Sequence, residues 1–250
     1  MQITVAKDSS HLAEMAAQFL IQQITRTSDS RFHGNDKSRV TIGLATGSTP
    51  KKTYAELAKK IREEKNSVKH LHCFHLDEYA DMPPSDPRSF AAYIRQHVMN
   101  PLKLDESQIS LWQENPADYE IKLRECGGID CQILGLGING HIGFNEPGSL
   151  RNSRCRVVEL TQETLEHNRA DLEGGKLPTQ ALTMGIDNIM ESKNILLLVS
   201  GKNKQESFAR FMNEQPNSNY PASFLKEHSR LKVMVDQEAC DPSLALKVTT

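Results

Sequence analysis

The chain has 250 residues, 38% of them hydrophobic and 25% charged, enough for a substantial core and too apolar for a disordered chain. Against 30 Lys and Arg stand 32 Asp and Glu, a formal charge of −2, so bulk electrostatics give no reason to expect nucleic acid or a membrane surface as a partner. The five cysteines, Cys73, Cys126, Cys131, Cys155 and Cys240, form no CxxC pair, which argues against a zinc ribbon or a thioredoxin-type centre. Cys73, Cys131 and Cys155 lie in apolar or β-like runs and read as buried free thiols. The N-terminus has no basic segment followed by an apolar stretch, and runs such as residues 195–199 are far too short to span a bilayer. A reducing, cytoplasmic setting is expected.

In chain order, residues 3–6 read as a short strand. Ser9 and Ser10 offer an N-cap to a helix carrying Leu12, Met15, Ala16, Phe19 and Leu20 at helical spacing. Residues 27–39 are polar and read as an exposed loop; residues 40–45 are a compact β run. After a turn at 46–49, a helix over 50–64 has Pro50 at its first position. There follow a strand at 71–76, a proline-rich loop at 82–87 and helices over 89–98 and 117–126. A strand at 131–136 ends in a glycine-rich loop over 135–148, and residues 156–160 form another strand. Residues 161–177 are charged and read as a helical flap, part of a mobile lid around 156–186. A strongly apolar strand at 195–200, a helix over 204–212 and a strand at 231–235 complete the chain. The alternation predicts one domain over residues 1–250: an α/β fold with an open, mostly parallel sheet and helices on both faces. In such folds ligands sit at the carboxyl ends of the strands, and the unusual segments here all follow strands.

Four of those segments carry chemistry. Thr46-Gly47-Ser48-Thr49-Pro50 leads from a strand into a helix, where free N–H groups and the positive end of the helix dipole suit a phosphate. It is neither a Walker A loop nor a GxGxxG motif, so a nucleotide is not implied, and a plain turn with a capping threonine fits as well. Asp77 and Glu78 follow an apolar strand, where a shielded carboxylate with a raised pKa suits proton transfer at carbon. Capping of the next element is the plainer alternative. In the loop from Gly135 to Gly148, His141 lies near Asn139 and Glu146; an imidazole oriented by a carboxylate can exchange protons near neutral pH. No second His or Cys completes a metal set there. Finally, Lys204 in Ser200-Gly201-Lys202-Asn203-Lys204 again follows a strand and offers a point charge to a phosphate.

Together these segments resemble the glucosamine-6-phosphate deaminase (glucosamine-6-phosphate isomerase) family over nearly the whole chain. The matches are TGSTP at 46–50, LDEY at 76–79, GHIGFNEPGS at 140–149, ALTMGI at 181–186 and SGKNK at 200–204. The resemblance implies aldose–ketose isomerisation and hydrolytic deamination of glucosamine 6-phosphate to fructose 6-phosphate and ammonia, with no metal or organic cofactor. It assigns Asp77 to proton transfer between C1 and C2, His141 to ring opening, and Glu146 to support of His141. Asn139 stands where many members carry Asp. Thr46, Gly47, Ser48, Thr49 and Lys204 match the phosphate binders.

Two departures stand out. An arginine that touches the phosphate in many members lies in Asn-Ser-Arg; here the segment is His167-Asn168-Arg169, one position early. Val158 replaces a lysine of allosteric members, although Arg156 is retained. The competing readings are a galactosamine-6-phosphate deaminase, a 6-phosphogluconolactonase and a non-catalytic phosphosugar sensor. The lactonase loop lacks the Phe-Asn-Glu-Pro found at 144–147, and a sensor calls for a helix-turn-helix that the sequence does not show. A homo-oligomer is compatible with all of them.

Overall fold

A computed structural model describes residues 1–25, 39–112, 115–161, 164, 172 and 177–240. Among the described residues ten strands fall into two sheets. The larger has seven strands, all parallel, in the order β1-β10-β9-β6-β2-β3-β5: β1 (Gln2–Ala6), β2 (Val40–Leu44), β3 (Leu71–His75), β5 (Ile109–Ser110), β6 (Cys131–Gly135), β9 (Ile195–Val199) and β10 (Leu231–Asp236). The smaller is antiparallel, in the order β4-β8-β7: β4 (Asp77–Tyr79), β7 (Arg156–Glu159) and β8 (Gln180–Thr183).

Strand alternation divides the large sheet's side chains between two cores, as expected when both faces are covered. Ile42, Leu44, Cys73, Ile133, Leu196 and Leu198 point to the core beneath α1 (Ser9–Thr25) and α2 (Ser48–Glu63). Phe74, Leu134, Ile195, Leu197, Val199 and Val233 point the other way, towards α5 (Pro116–Glu125), α6 (Ile186–Met190) and α7 (Gln205–Asn213). The buried stripe of α1 runs Leu12, Ala16, Leu20 and Ile24, a spacing of four. Its cap is Asp8, which accepts from the N–H groups of Ser10 and His11, and not the serines expected from the sequence. The helix after the proline-rich loop is longer than its hydrophobic pattern indicates. It runs as α3 (Phe90–Ile94), a π-turn (Arg95–Met99) and α4 (Asn100–Leu102).

The helix α2 begins at Ser48 with Gly47 as N-cap, so Pro50 is its third residue and not its first. Proline is tolerated there because first-turn N–H groups have no intrahelical acceptor. The small sheet is the main architectural feature beyond expectation. β4 is three residues long and β8 lies in a segment with no long apolar run. Both form because Tyr79 and Ala181 cover a third core with Phe144, against which Phe90 packs. Rings of Tyr79, Phe90 and Phe144 lie 4.7–5.8 Å apart. The expected loop at 27–39 falls, apart from Arg39, outside the described residues. So does most of the expected flap at 161–177, while the ends of the 156–186 segment are β7 and β8.

Candidate active site

The chain runs outward from β2 to β3 and β5, then returns beside β2 to β6 and continues to β9 and β10. The strand order therefore reverses between β2 and β6, and a crevice opens at the carboxyl ends of these strands. Three predicted segments flank it: the 46–49 loop after β2, the glycine-rich loop after β6 and Lys204 after β9. The β2 and β9 ends are two strand spacings apart, about 10 Å, with β6 between them.

The 46–49 loop is held from below. The Tyr54 hydroxyl donates to Ala45 O at 2.7 Å and accepts from Ala45 N–H, and the Tyr93 hydroxyl donates to Gly47 O at 2.6 Å. Gly47 and Ser48 are exposed, Thr46 and Thr49 half-buried, and Gly47 offers no side-chain cap. The first-turn N–H groups of α2 thus face outward without an intrahelical acceptor, a ready anion site. Lys204 closes a 3-10 turn (Lys202–Lys204) after β9. Burial holds its ammonium below the usual lysine range. Asp236 at the end of β10 fixes the start of that turn, accepting from the Ser200 hydroxyl at 2.5 Å and from Gly201 N–H at 3.1 Å. Its place at the end of the next strand, 35 residues beyond Gly201, gave no local signal of this support.

The paired carboxylates after β3 have separate tasks. Glu78 accepts from the N–H groups of Tyr79, Phe90 and Ala91 at 2.9, 3.0 and 2.7 Å, so it caps α3. Asp77 is 5% exposed, and its Oδ1 is buried with no hydrogen-bond partner among the described residues. Burial, and secondly the charge of Glu78, pushes the Asp77 carboxyl up to about 8. Pairing of Asp77 with Thr183 in the small sheet brings its carboxyl to the glycine-rich loop. A Cβ placed on Gly143 would lie 3.3 Å from Asp77 Oδ2 and 3.1 Å from Thr183 Oγ1, and Thr183 Oγ1 accepts from Phe144 N–H.

His141, Asn139 and Glu146 do come together, with the amide as the middle member. Asn139 Nδ2 donates to Glu146 Oε2 at 2.9 Å, while Asn139 Oδ1 is 2.8 Å from His141 Nδ1. A carboxylate can only accept, so the amide nitrogen must face Glu146 and its oxygen must face the ring. His141 therefore carries hydrogen on Nδ1 and, when neutral, a lone pair on Nε2. The carboxylate does not bond the ring directly; Glu146 Oε1 lies 3.5 Å from Nδ1. Burial would raise the Glu146 carboxyl, but the nearby imidazole and donors on Asn139 and Thr164 outweigh it and hold the group down at about 2. The ring lies so close over Gly137 that a Cβ there would meet His141 Cγ at 2.4 Å. The loop is braced at its middle and its far end from the 217–223 turn: Ala222 N–H donates to Gly140 O, and Gly148 N–H to Ser218 O.

Arg169 lies outside the described residues. Arg156 does not face the crevice as an open cation; it donates to Asn145 Oδ1 at 2.9 Å and to Ser149 Oγ at 3.2 Å. Sequence reasoning missed Thr183 and Thr164 as polar neighbours of Asp77 and Glu146. The ALTMGI stretch pointed to the first, and the Thr-x-x-Thr spacing of a helix start, residues 161–164, was the available sign of the second. Among the described residues no three His, Cys, Asp or Glu side chains converge as a metal set, and no helix is long and apolar enough to cross a membrane.

A strand-order switch point bearing a helix start with free N–H groups, a shielded carboxylate and an oriented imidazole makes up the candidate site on this open α/β fold. The chain belongs to the family described as glucosamine-6-phosphate isomerases/6-phosphogluconolactonase, which matches residues 7–234. It is 38% identical over 249 residues to a glucosamine-6-phosphate deaminase of Shouchella clausii, with 96% of each chain covered. A glucosamine-6-phosphate deaminase 1 of Giardia intestinalis is 39% identical over 212 residues, covering 81% of this chain and 80% of that one. Among solved structures, a monomeric glucosamine-6-phosphate deaminase superposes with a TM-score of 0.88 at 34% identity, covering 96% of this chain and 98% of that one. A 6-phosphogluconolactonase from Leishmania guyanensis superposes with a TM-score of 0.70 at 19% identity, covering 95% and 97%, a likeness of fold alone.

Proposed function

We propose that this chain is an enzyme that isomerises and deaminates glucosamine 6-phosphate, giving fructose 6-phosphate and ammonia in amino-sugar breakdown in the cytoplasm. The observation that carries the reading is Asp77: a carboxyl shielded from water, unpartnered at Oδ1 among the described residues and placed against the loop that holds His141.

The phosphate docks on the N–H groups and hydroxyls of 46–49, with Lys204 supplying charge. His141 Nε2 takes the proton of the anomeric hydroxyl and hands it to the ring oxygen as that oxygen leaves C1, opening the sugar to the aldehyde. Asp77 then removes the proton on C2 and returns one to C1, passing through an enolamine. The resulting C2 imine adds water, the C2–N bond breaks, and ammonia leaves behind the ketose. Each step is redox-neutral and needs only acid–base groups. A nearly neutral Asp77 in the empty site is no obstacle, since the substrate ammonium beside it favours the ionised form.

Release of ammonia from glucosamine 6-phosphate and galactosamine 6-phosphate, run beside acid release from 6-phosphogluconolactone, tests the reading. Turnover is expected on glucosamine 6-phosphate; acid release from the lactone with no ammonia from either amino sugar would contradict it. The phosphate assignment has its own test. Lys204→Ala is expected to raise KM for the 6-phosphate about tenfold or more, the effect of losing a charge-assisted hydrogen bond of about 1.5–3 kcal/mol. An unchanged KM would remove Lys204 from the site.

A further inference from the structure

Resting on that reading, we infer that Thr164 is a positioning residue that keeps the His141 imidazole bonded to the Asn139 amide and away from the Glu146 carboxylate. The two oxygens of Glu146 are differently engaged. Oε2 accepts from the Asn139 amide, and Oε1 accepts from the Thr164 hydroxyl at 2.8 Å. That second oxygen is also the one 3.5 Å from His141 Nδ1, within a small side-chain rotation of a direct bond to the ring.

The direction of the hydroxyl bonds is forced. Glu146 is ionised and accepts only, so the Thr164 O–H must point at it. The Thr164 oxygen then accepts from the Thr161 hydroxyl 2.9 Å away, while Thr161 Oγ1 accepts from Thr164 N–H at 3.2 Å. Thr164 is 7% exposed, so water does not readily take its place. The chain Thr161 to Thr164 to Glu146, met from the other side by Asn139, gives each oxygen of the carboxylate a donor. Nδ1–H is left with a neutral acceptor, and Nε2 keeps its lone pair towards the crevice. Without the hydroxyl, the donor within reach of Oε1 among the described residues is His141 Nδ1–H. A direct carboxylate–imidazole bond would pull the ring off the amide and change its orientation over Gly137.

The test compares T164V, which keeps the shape and removes the donor, with T164S, which restores it. In substrate-free protein labelled with nitrogen-15 at histidine, the His141 Nδ1–H proton resonance should move downfield in T164V, as its acceptor changes from amide to carboxylate. It should return to the wild-type position in T164S. In turnover, kcat of T164V should fall about tenfold with KM for the sugar phosphate within about twofold, and T164S should recover most of the loss. An unmoved Nδ1–H resonance in folded T164V, or a T164S as impaired as T164V, would overturn the inference. The resonance is read without substrate, so its outcome is separate from that of the ammonia-release assay.

Discussion

Asp77→Asn is expected to lower kcat for ammonia release by about 10³-fold or more, with KM within about threefold of the wild type, because a general base is removed and no phosphate contact is touched. The amide matches the carboxyl in shape, and Asp77 Oδ1 has no hydrogen-bond partner to lose among the described residues. The raised carboxyl also sets signs for two pH dependences. The ionised form is the base, so kcat/KM of the wild type, which reports the free enzyme, should climb as pH rises through about 8. Stability runs the other way. A carboxyl raised on folding gives stability that is complete below its unfolded value and is lost as pH rises through about 8. The neutral amide escapes that loss. Asp77→Asn should therefore melt above the wild type at about pH 9, with the gap closing towards about pH 4, by calorimetry on both proteins. A variant with near wild-type turnover, or one less stable than the wild type at alkaline pH, would contradict the role and the environment given to Asp77.

Asn139→Ala is expected to cost about 10²-fold in kcat, the scale of a misplaced catalytic group. The amide is the only described link that reads Glu146 on one side and His141 on the other, at 2.9 and 2.8 Å. Removing it frees the ring to turn and to exchange tautomers, and the Nε2 lone pair is no longer held towards the sugar. Asn139→Asp should be tolerated within about tenfold. A carboxyl at 139 that keeps one proton can donate to Glu146 and accept from Nδ1, reproducing the amide's pattern. The expected order of kcat is thus wild type, Asn139→Asp, then Asn139→Ala. An alanine variant at the wild-type rate would leave His141 positioned by other contacts.

Much of this was legible in the sequence because its signals are local. Apolar runs such as Ile195-Leu196-Leu197-Leu198-Val199, short and bounded by polar residues, read as strands buried on both faces, and the 46–50 turn announces a helix start. The parallel sheet and the segments at its carboxyl edge follow from such signals. The small antiparallel sheet does not, since β4 and β8 are short and owe their existence to the Tyr79, Phe90 and Phe144 rings, which are distant in sequence. For the same reason the local pattern could not divide Asp77 from Glu78, and only the family resemblance singled out Asp77. Adjacent carboxylates look alike until a neighbouring helix start claims one of them, and here the N–H groups of Phe90 and Ala91 claim Glu78. The amide-centred bridge was half legible: the three residues were together in the loop, but their order, with Asn139 in the middle, is a matter of rotamers.

The central claim is that a carboxyl group carries a proton between C2 and C1 of an amino-sugar phosphate, and isotope incorporation tests it most directly. Wild-type protein is allowed to convert glucosamine 6-phosphate fully in deuterated water, and the fructose 6-phosphate formed is examined by NMR at C1. Proton carriage by Asp77 predicts deuterium at C1 in at least a fraction of the product, since the carboxyl exchanges with solvent in some turnovers before delivery. It also predicts that Asp77→Asn leaves both ammonia and labelled product near background. Complete conversion with no deuterium at C1 would point to a direct hydride shift and contradict the account.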